Sequence, residues 1–219
     1  CDSSVGMEYL DQKYGEKNGT RLFPKDPLTA ALVRLLKDHM GRILSANIGL
    51  IQNSSEDERI ASYHKLIDES RAIAVAMAPY DNIQVDPVDH PSVDLESLAT
   101  MAAQVHSQSK SSSGPFVLGE KFCAADIVLG TMWIRVLWLG EHYRDLKFPD
   151  EPTFARLAAW WKAVSTRPSF QNTMICRERL LACDLTYARR GAGNEDGISP
   201  LDYTKTKYPA LASSKKSKL

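Results

Sequence analysis

The chain has 219 residues, and its 27 basic and 27 acidic side chains balance to a formal charge of zero. That balance gives no global field to draw nucleic acid or an anionic membrane, so neither is expected as a partner. Hydrophobic residues make up 43% and charged ones 25%, as in a soluble globular protein of one ordinary domain with extensions, and no apolar run reaches the length of a membrane span.

Residues 5–14 read as a short helix stopped by Gly15 and Gly19. Asp26 then caps a long helix with Pro27 at its first position. Leu28, Leu32, Leu35, Leu36, Ile43 and Leu50 mark its apolar face at helical spacing. The next helix starts at Ser54 or Ser55, where Ser55 and Glu58 form a capping box, and runs to about Ala78 before Pro79. Residues 81–91 are a polar, proline-containing loop. A third helix spans about 92–107, and a serine-rich stretch follows to Ser113. A helix from Ala124 to about His142 comes next. Pro152 opens another, over 153–166, which carries Trp160 and Trp161. Arg167-Pro168-Ser169-Phe170 breaks and restarts the chain, and a last helix runs to about Arg190. No strand pattern and no internal repeat is visible, so the predicted class is all-α.

The run GPFVLGEKFCAADIVL, residues 114–129, is the most specific segment. Two glycine turns lead to a helix start with Cys123 at the cap. Asp126, at the third helical position, can reach back to the free N–H of the cap residue. Phe122 and Ile127 stand at staple spacing, where their side chains can fix the angle of chain entry. This segment resembles the N-capping and staple motif in the helical C-terminal domain of glutathione transferases. That family has Ser or Thr at the cap. Cys123 is a weaker acceptor. The Trp160–Trp161 pair followed by Arg167-Pro168-Ser169-Phe170 also resembles the family's penultimate helix and the turn behind it.

The chain's start is similar to the end of the same family's thioredoxin-like domain. Asp2-Ser3-Ser4-Val5 runs into a short helix, and Leu22-Phe23-Pro24 follows as a linker. The omega class looks closest. The resemblance implies that Ser3 holds the γ-glutamyl carboxylate of glutathione and that Asp2 orients its amine. Free N–H groups and the helix dipole make such an end an anion site. It also implies a division of the chain into a remnant of the thioredoxin-like domain (1–18), a linker (19–25), a helical domain (26–190) and a tail (191–219). The catalytic Cys, Ser or Tyr of that family belongs upstream of Cys1. The sequence therefore reads as a truncated protein that is expected to be catalytically silent by itself.

The electrophile pocket of the family lies between its two domains, and the matching positions here are His39, Arg42, Met132, Trp133 and Arg135. The implied function is conjugation of glutathione to small hydrophobic electrophiles, or thiol transfer from them. Glutathione is the co-substrate, and the full-length protein is expected to be a homodimer. A non-catalytic helical module for protein–protein contacts is the alternative. No metal is expected, because the cysteines at 1, 123, 176 and 183 show no zinc-site spacing. They are expected to be buried free thiols of a reducing compartment.

The last 29 residues hold Gly, Ser, Pro and Lys with few large apolar groups. They are expected to form a mobile tail. The chain closes on Ser217-Lys218-Leu219, the tripeptide read by the peroxisomal import receptor. A peroxisomal location is expected, with a cytoplasmic one as the alternative.

Overall fold

A computed structural model of the chain describes residues 3–17, 19, 21–53, 55–83, 85, 95–108 and 113–191. Cys1, Asp2, Ser217, Lys218 and Leu219 lie outside the described residues. The regular elements are α1 (Ser3–Leu10), extended by a π-helical turn at Asp11–Gly15, α2 (Pro27–Gln52), α3 (Glu56–Ala76), α4 (Leu95–Gln108), α5 (Ala124–Arg144), α6 (Pro152–Ser165), α7 (Pro168–Gln171) and α8 (Arg177–Gly191). Among the described residues β-pairing is confined to isolated bridges, so the protein is all-α.

α2 is the axis of the bundle and packs against α3, α4, α5 and α8. Its start is set by Asp26, whose carboxylate accepts the Thr29 N–H at 2.7 Å and the Thr29 hydroxyl at 2.6 Å. Leu32, Val33, Leu36, Met40, Ile43 and Leu50 are buried along one stripe. Leu35 is exposed, against the sequence expectation. At 100° per residue it points about 100° from the centre of that stripe, outside the face that α3 and α5 cover. α3 is capped by Ser55, whose hydroxyl takes the Glu58 N–H at 3.5 Å, and opens on Glu56, Asp57 and Glu58, which favour the positive end of the dipole.

α3 ends two residues before the expected Ala78. Tertiary partners claim the backbone there: the Ala78 N–H goes to the Val117 carbonyl at 3.0 Å, and the Ala78 carbonyl accepts from Arg156 at 2.9 Å. α1 starts at Ser3, earlier than expected, and its last turn widens into the π-turn that holds Asp11 buried. The thiols also depart from expectation. Cys123 is buried, but Cys176 and Cys183 are exposed at the start of α8 and along it.

Gly130 shows how closely α5 and α6 approach. A Cβ added there would sit 2.8 Å from Val164 and 3.3 Å from the Phe170 ring, so only glycine fits without displacing α6.

A second, smaller cluster joins Ile51, Leu139, Tyr143, Leu180 and Ala188 and seats α8. Arg144 organises it. Its fully buried guanidinium donates to the carbonyls of Leu50 (3.0 Å), Ile51, Tyr143 (2.7 Å) and Ala188 (3.3 Å). The C-terminal ends of α2 and α5 and the last turn of α8 thus share one cation, which suits the negative ends of their dipoles. We expect Arg144→Met to cost about 3 kcal/mol, because several buried carbonyls lose their donor. A urea melt with a midpoint unchanged from wild type would show that the carbonyls find other partners.

Candidate functional site

The turn that leads into α5 is built from the glycines outward. Gly114 (φ 150°) and Gly119 (φ 76°) adopt conformations that L side chains rarely enter. Phe116 and Gly119 exchange backbone hydrogen bonds at 3.0 and 3.2 Å, and the Gly114 N–H reaches the Pro79 carbonyl at 3.1 Å. The result is a compact knot lying against the end of α3.

Two buried charges hold that knot. Asp126 is completely buried, and its carboxylate accepts three N–H groups: Cys123 at 2.8 Å, Val117 at 3.0 Å and the Trp160 indole at 2.9 Å. Burial raises its pKa above the usual carboxylate range, while the three donors pull the other way. The reciprocal half of the box, the Cys123 sulfur toward the Asp126 amide, is present in the geometry but is too weak to count as a hydrogen bond. Arg156 is the second charge. Its guanidinium donates to the carbonyls of Ala78 (2.9 Å), Pro115 (3.2 Å), Gly114 (3.3 Å) and Phe116 (3.2 Å). Burial lowers its pKa to about 10, so it stays charged at neutral pH. Phe122, the staple position, lies 5.3 Å from the Phe116 ring, and the Arg167 guanidinium covers it at 3.9 Å. Ile127 is half-buried.

At the other end of the chain, Ser3 is exposed as the first residue of α1. α1 is moored by three contacts. Met7 packs on the core, Glu8 pairs with Arg34 of α2, and Asp11 accepts the N–H groups of Leu22 (2.6 Å) and Phe23 (3.1 Å). Val5, Tyr9, Leu10 and Tyr14 stay between 43 and 66% exposed, leaving α1 with large apolar groups in water.

The five positions matched to an electrophile pocket are dispersed. His39 is buried between α2 and α3, its Nε2 2.9 Å from the Glu69 carboxylate and 3.2 Å from the Glu69 carbonyl. Burial lowers its pKa, while the hydrogen bond to the Glu69 carbonyl pulls the other way. Arg42 is exposed, Met132 is half-buried against the core, and Arg135 lies near Asp184. Trp133 is a core residue, 4% exposed, stacked on Phe148 at 5.4 Å and edge-on to Trp160 at 6.4 Å. Among the described residues, none of the five lines the cavities of about 820, 640 and 380 Å³. The larger two flank His106.

Sequence reading missed Arg156, Asp11 and the two extra donors to Asp126. For Arg156 a signal existed: a charge at position 156 interrupts the apolar face of Phe154, Leu157, Trp160 and Val164, and a cation on a buried face requires partners. Among the described residues no group of three or more His, Cys, Asp or Glu could hold a metal ion, and no helix is long and apolar enough to cross a membrane.

Asp126→Ala strands three buried N–H donors, so we expect a loss of about 3 kcal/mol or more. Cys123→Ser supplies a better cap acceptor and is expected to be neutral or stabilising. Denaturant melts of both variants check this; Asp126→Ala as stable as wild type removes the carboxylate from its central role.

No family model matches the chain. Among curated proteins it is similar to the protein named glutathione S-transferase DHAR2 of Arabidopsis thaliana, 37% identical over 73 residues. The match covers 33% of this chain and 33% of that protein, so the chain spans about a third of the length of the curated relative it matches. That match supports a relationship to the glutathione transferases.

Proposed function

We propose that this chain is the helical part of a glutathione transferase, with one helix of the thioredoxin-like domain, α1, still attached. The similarity to the plant transferase carries this reading. Two features of the geometry support it. The buried Asp126 closes on the cap of α5, where the family motif stands. The uncovered Val5, Tyr9, Leu10 and Tyr14 suit a helix that packs on a further layer. In this reading the reaction is attack by the glutathione thiol on an electrophile, or the reverse thiol transfer, and the protein acts as a homodimer. The omega class remains the proposed affiliation. The nucleophile-activating group belongs to the thioredoxin-like domain. Cys123 does not serve: burial and the nearby Asp126 carboxylate push its thiol pKa well above the usual value, the direction opposite to activation.

Ser3 is the proposed anchor of the γ-glutamyl carboxylate, through its hydroxyl and the N–H groups that open α1, with Asp2 beside it. In the protein expressed from its complete coding sequence, Ser3→Ala is expected to raise the half-saturating glutathione concentration by roughly tenfold, the worth of a hydrogen bond to a charged group. Unchanged affinity in a glutathione titration makes Ser3 only the first residue of a helix.

We propose further that Ser217-Lys218-Leu219 directs the protein to peroxisomes. A fluorescent fusion on the N-terminal side, leaving Leu219 free, is expected to give puncta that turn diffuse when Leu219 is deleted. Diffuse fluorescence from both forms returns the protein to the cytoplasm.

A further inference from the structure

α1 is eight residues long, and none of them is buried. A helix that short is marginal in water by itself, so its place is set by what ties it to the rest of the molecule. Those ties close a circuit through Arg34 of α2. Its guanidinium donates from Nε (3.2 Å) and from Nη2 to one carboxylate oxygen of Glu8 on α1. The same guanidinium lies over the ring of Phe23 in the linker, 5.4 Å from its centre. Phe23 is buried, and its N–H is held at 3.1 Å by Asp11, in the π-turn that continues α1. From Glu8 the contacts run to Arg34, Phe23 and Asp11 and return to the helix they left.

The Arg34 and Glu8 side chains are 45% and 27% exposed. An ion pair that wet adds little to stability. Its effect is on direction. Asp11 fixes one end of α1 against the linker, and the Met7 contact with the core is apolar and does not set an angle. The Glu8–Arg34 pair supplies the second polar point, and two points fix an axis. Ser3 stands eight residues before Asp11, about 12 Å along a helix. A tilt of about 10° about Asp11 would carry Ser3 by about 2 Å, enough to break a hydrogen bond made there.

We propose that Arg34 is a positioning residue for glutathione: by holding Glu8 against the clamped linker it sets the axis of α1, and so the place where Ser3 presents its hydroxyl and N–H groups. The proposal rests on the reading of Ser3 as the anchor of the γ-glutamyl carboxylate.

The test is calorimetric titration with glutathione of the protein expressed from its complete coding sequence. Arg34→Gln is expected to raise the Kd roughly twofold to fivefold, the worth of a partly exposed ion pair, with the urea midpoint little changed. Glu8→Gln should do the same, and it keeps the test valid if Arg34→Gln unfolds. Exchanging the charges, Glu8→Arg with Arg34→Glu, should return the Kd toward the wild-type value. The analogue 4-aminobutyryl-Cys-Gly lacks the γ-glutamyl carboxylate, so its affinity should be the same in wild type and Arg34→Gln. An unchanged glutathione Kd in Arg34→Gln, while Ser3→Ala raises it, overturns the positioning role and leaves the anchor standing. Equal weakening of glutathione and the analogue, or a charge exchange no better than either single variant, overturns it too. If Ser3→Ala leaves the Kd unmoved, or the wild type binds no glutathione, the anchor fails and the positioning role falls with it.

Discussion

A single carboxylate, that of Asp126, fixes where three segments meet. It takes one N–H from its own helix cap, one from the turn at Val117 and one from the indole of Trp160 on α6. The turn it holds, with the end of α3, then offers four carbonyls to Arg156, which belongs to the same helix as Trp160. α6 is therefore bound to the start of α5 twice, once as donor to a carboxylate and once as donor to carbonyls. Each buried charge is costly alone and is tolerated because hydrogen bonds replace its water. Leu118 and Phe122, which line the cavity of about 640 Å³, stand on the same turn.

How much of this is legible in the sequence depends on how local the cause is. The start of α2 at Asp26-Pro27 and the start of α3 at Ser55 follow from caps that act over three residues, and the structure places both there. The spacing from Cys123 to Asp126 announces one hydrogen bond. Nothing local announces Val117, nine residues back, or Trp160, 34 residues on. The end of α3 departs from expectation for the same reason, since the partners of Ala78 come from Val117 and Arg156. Leu35 and Trp133 show the other limit. Helical spacing says which residues share a face, but neighbouring helices decide which face is covered. Trp133, matched to a pocket wall, fills the core instead.

The candidate glutathione residues are legible only as a resemblance. Ser3 opens α1 and faces solvent, a position that suits anion capture and equally suits simple capping. The features that distinguish this end of the molecule are tertiary. Asp11 ties the linker back to α1, and Glu8 ties α1 to Arg34 of α2. α1 is thus part of the helical body despite its exposed apolar groups. α1 is held on one side by Met7 and polar contacts and keeps Val5, Tyr9, Leu10 and Tyr14 in water on the other.

The exposed cysteines bear on the protein's behaviour in air. Cys176 and Cys183 are seven residues apart, and the Cys176 carbonyl accepts the Leu180 N–H, so both lie on one helical path. Seven residues of helix rise about 10 Å, beyond the span a disulfide can close. Oxidation through these thiols therefore cannot cyclise α8. A disulfide between these two positions can therefore form only from one molecule to another, and a covalent pair of that kind is distinct from any assembly dictated by the fold.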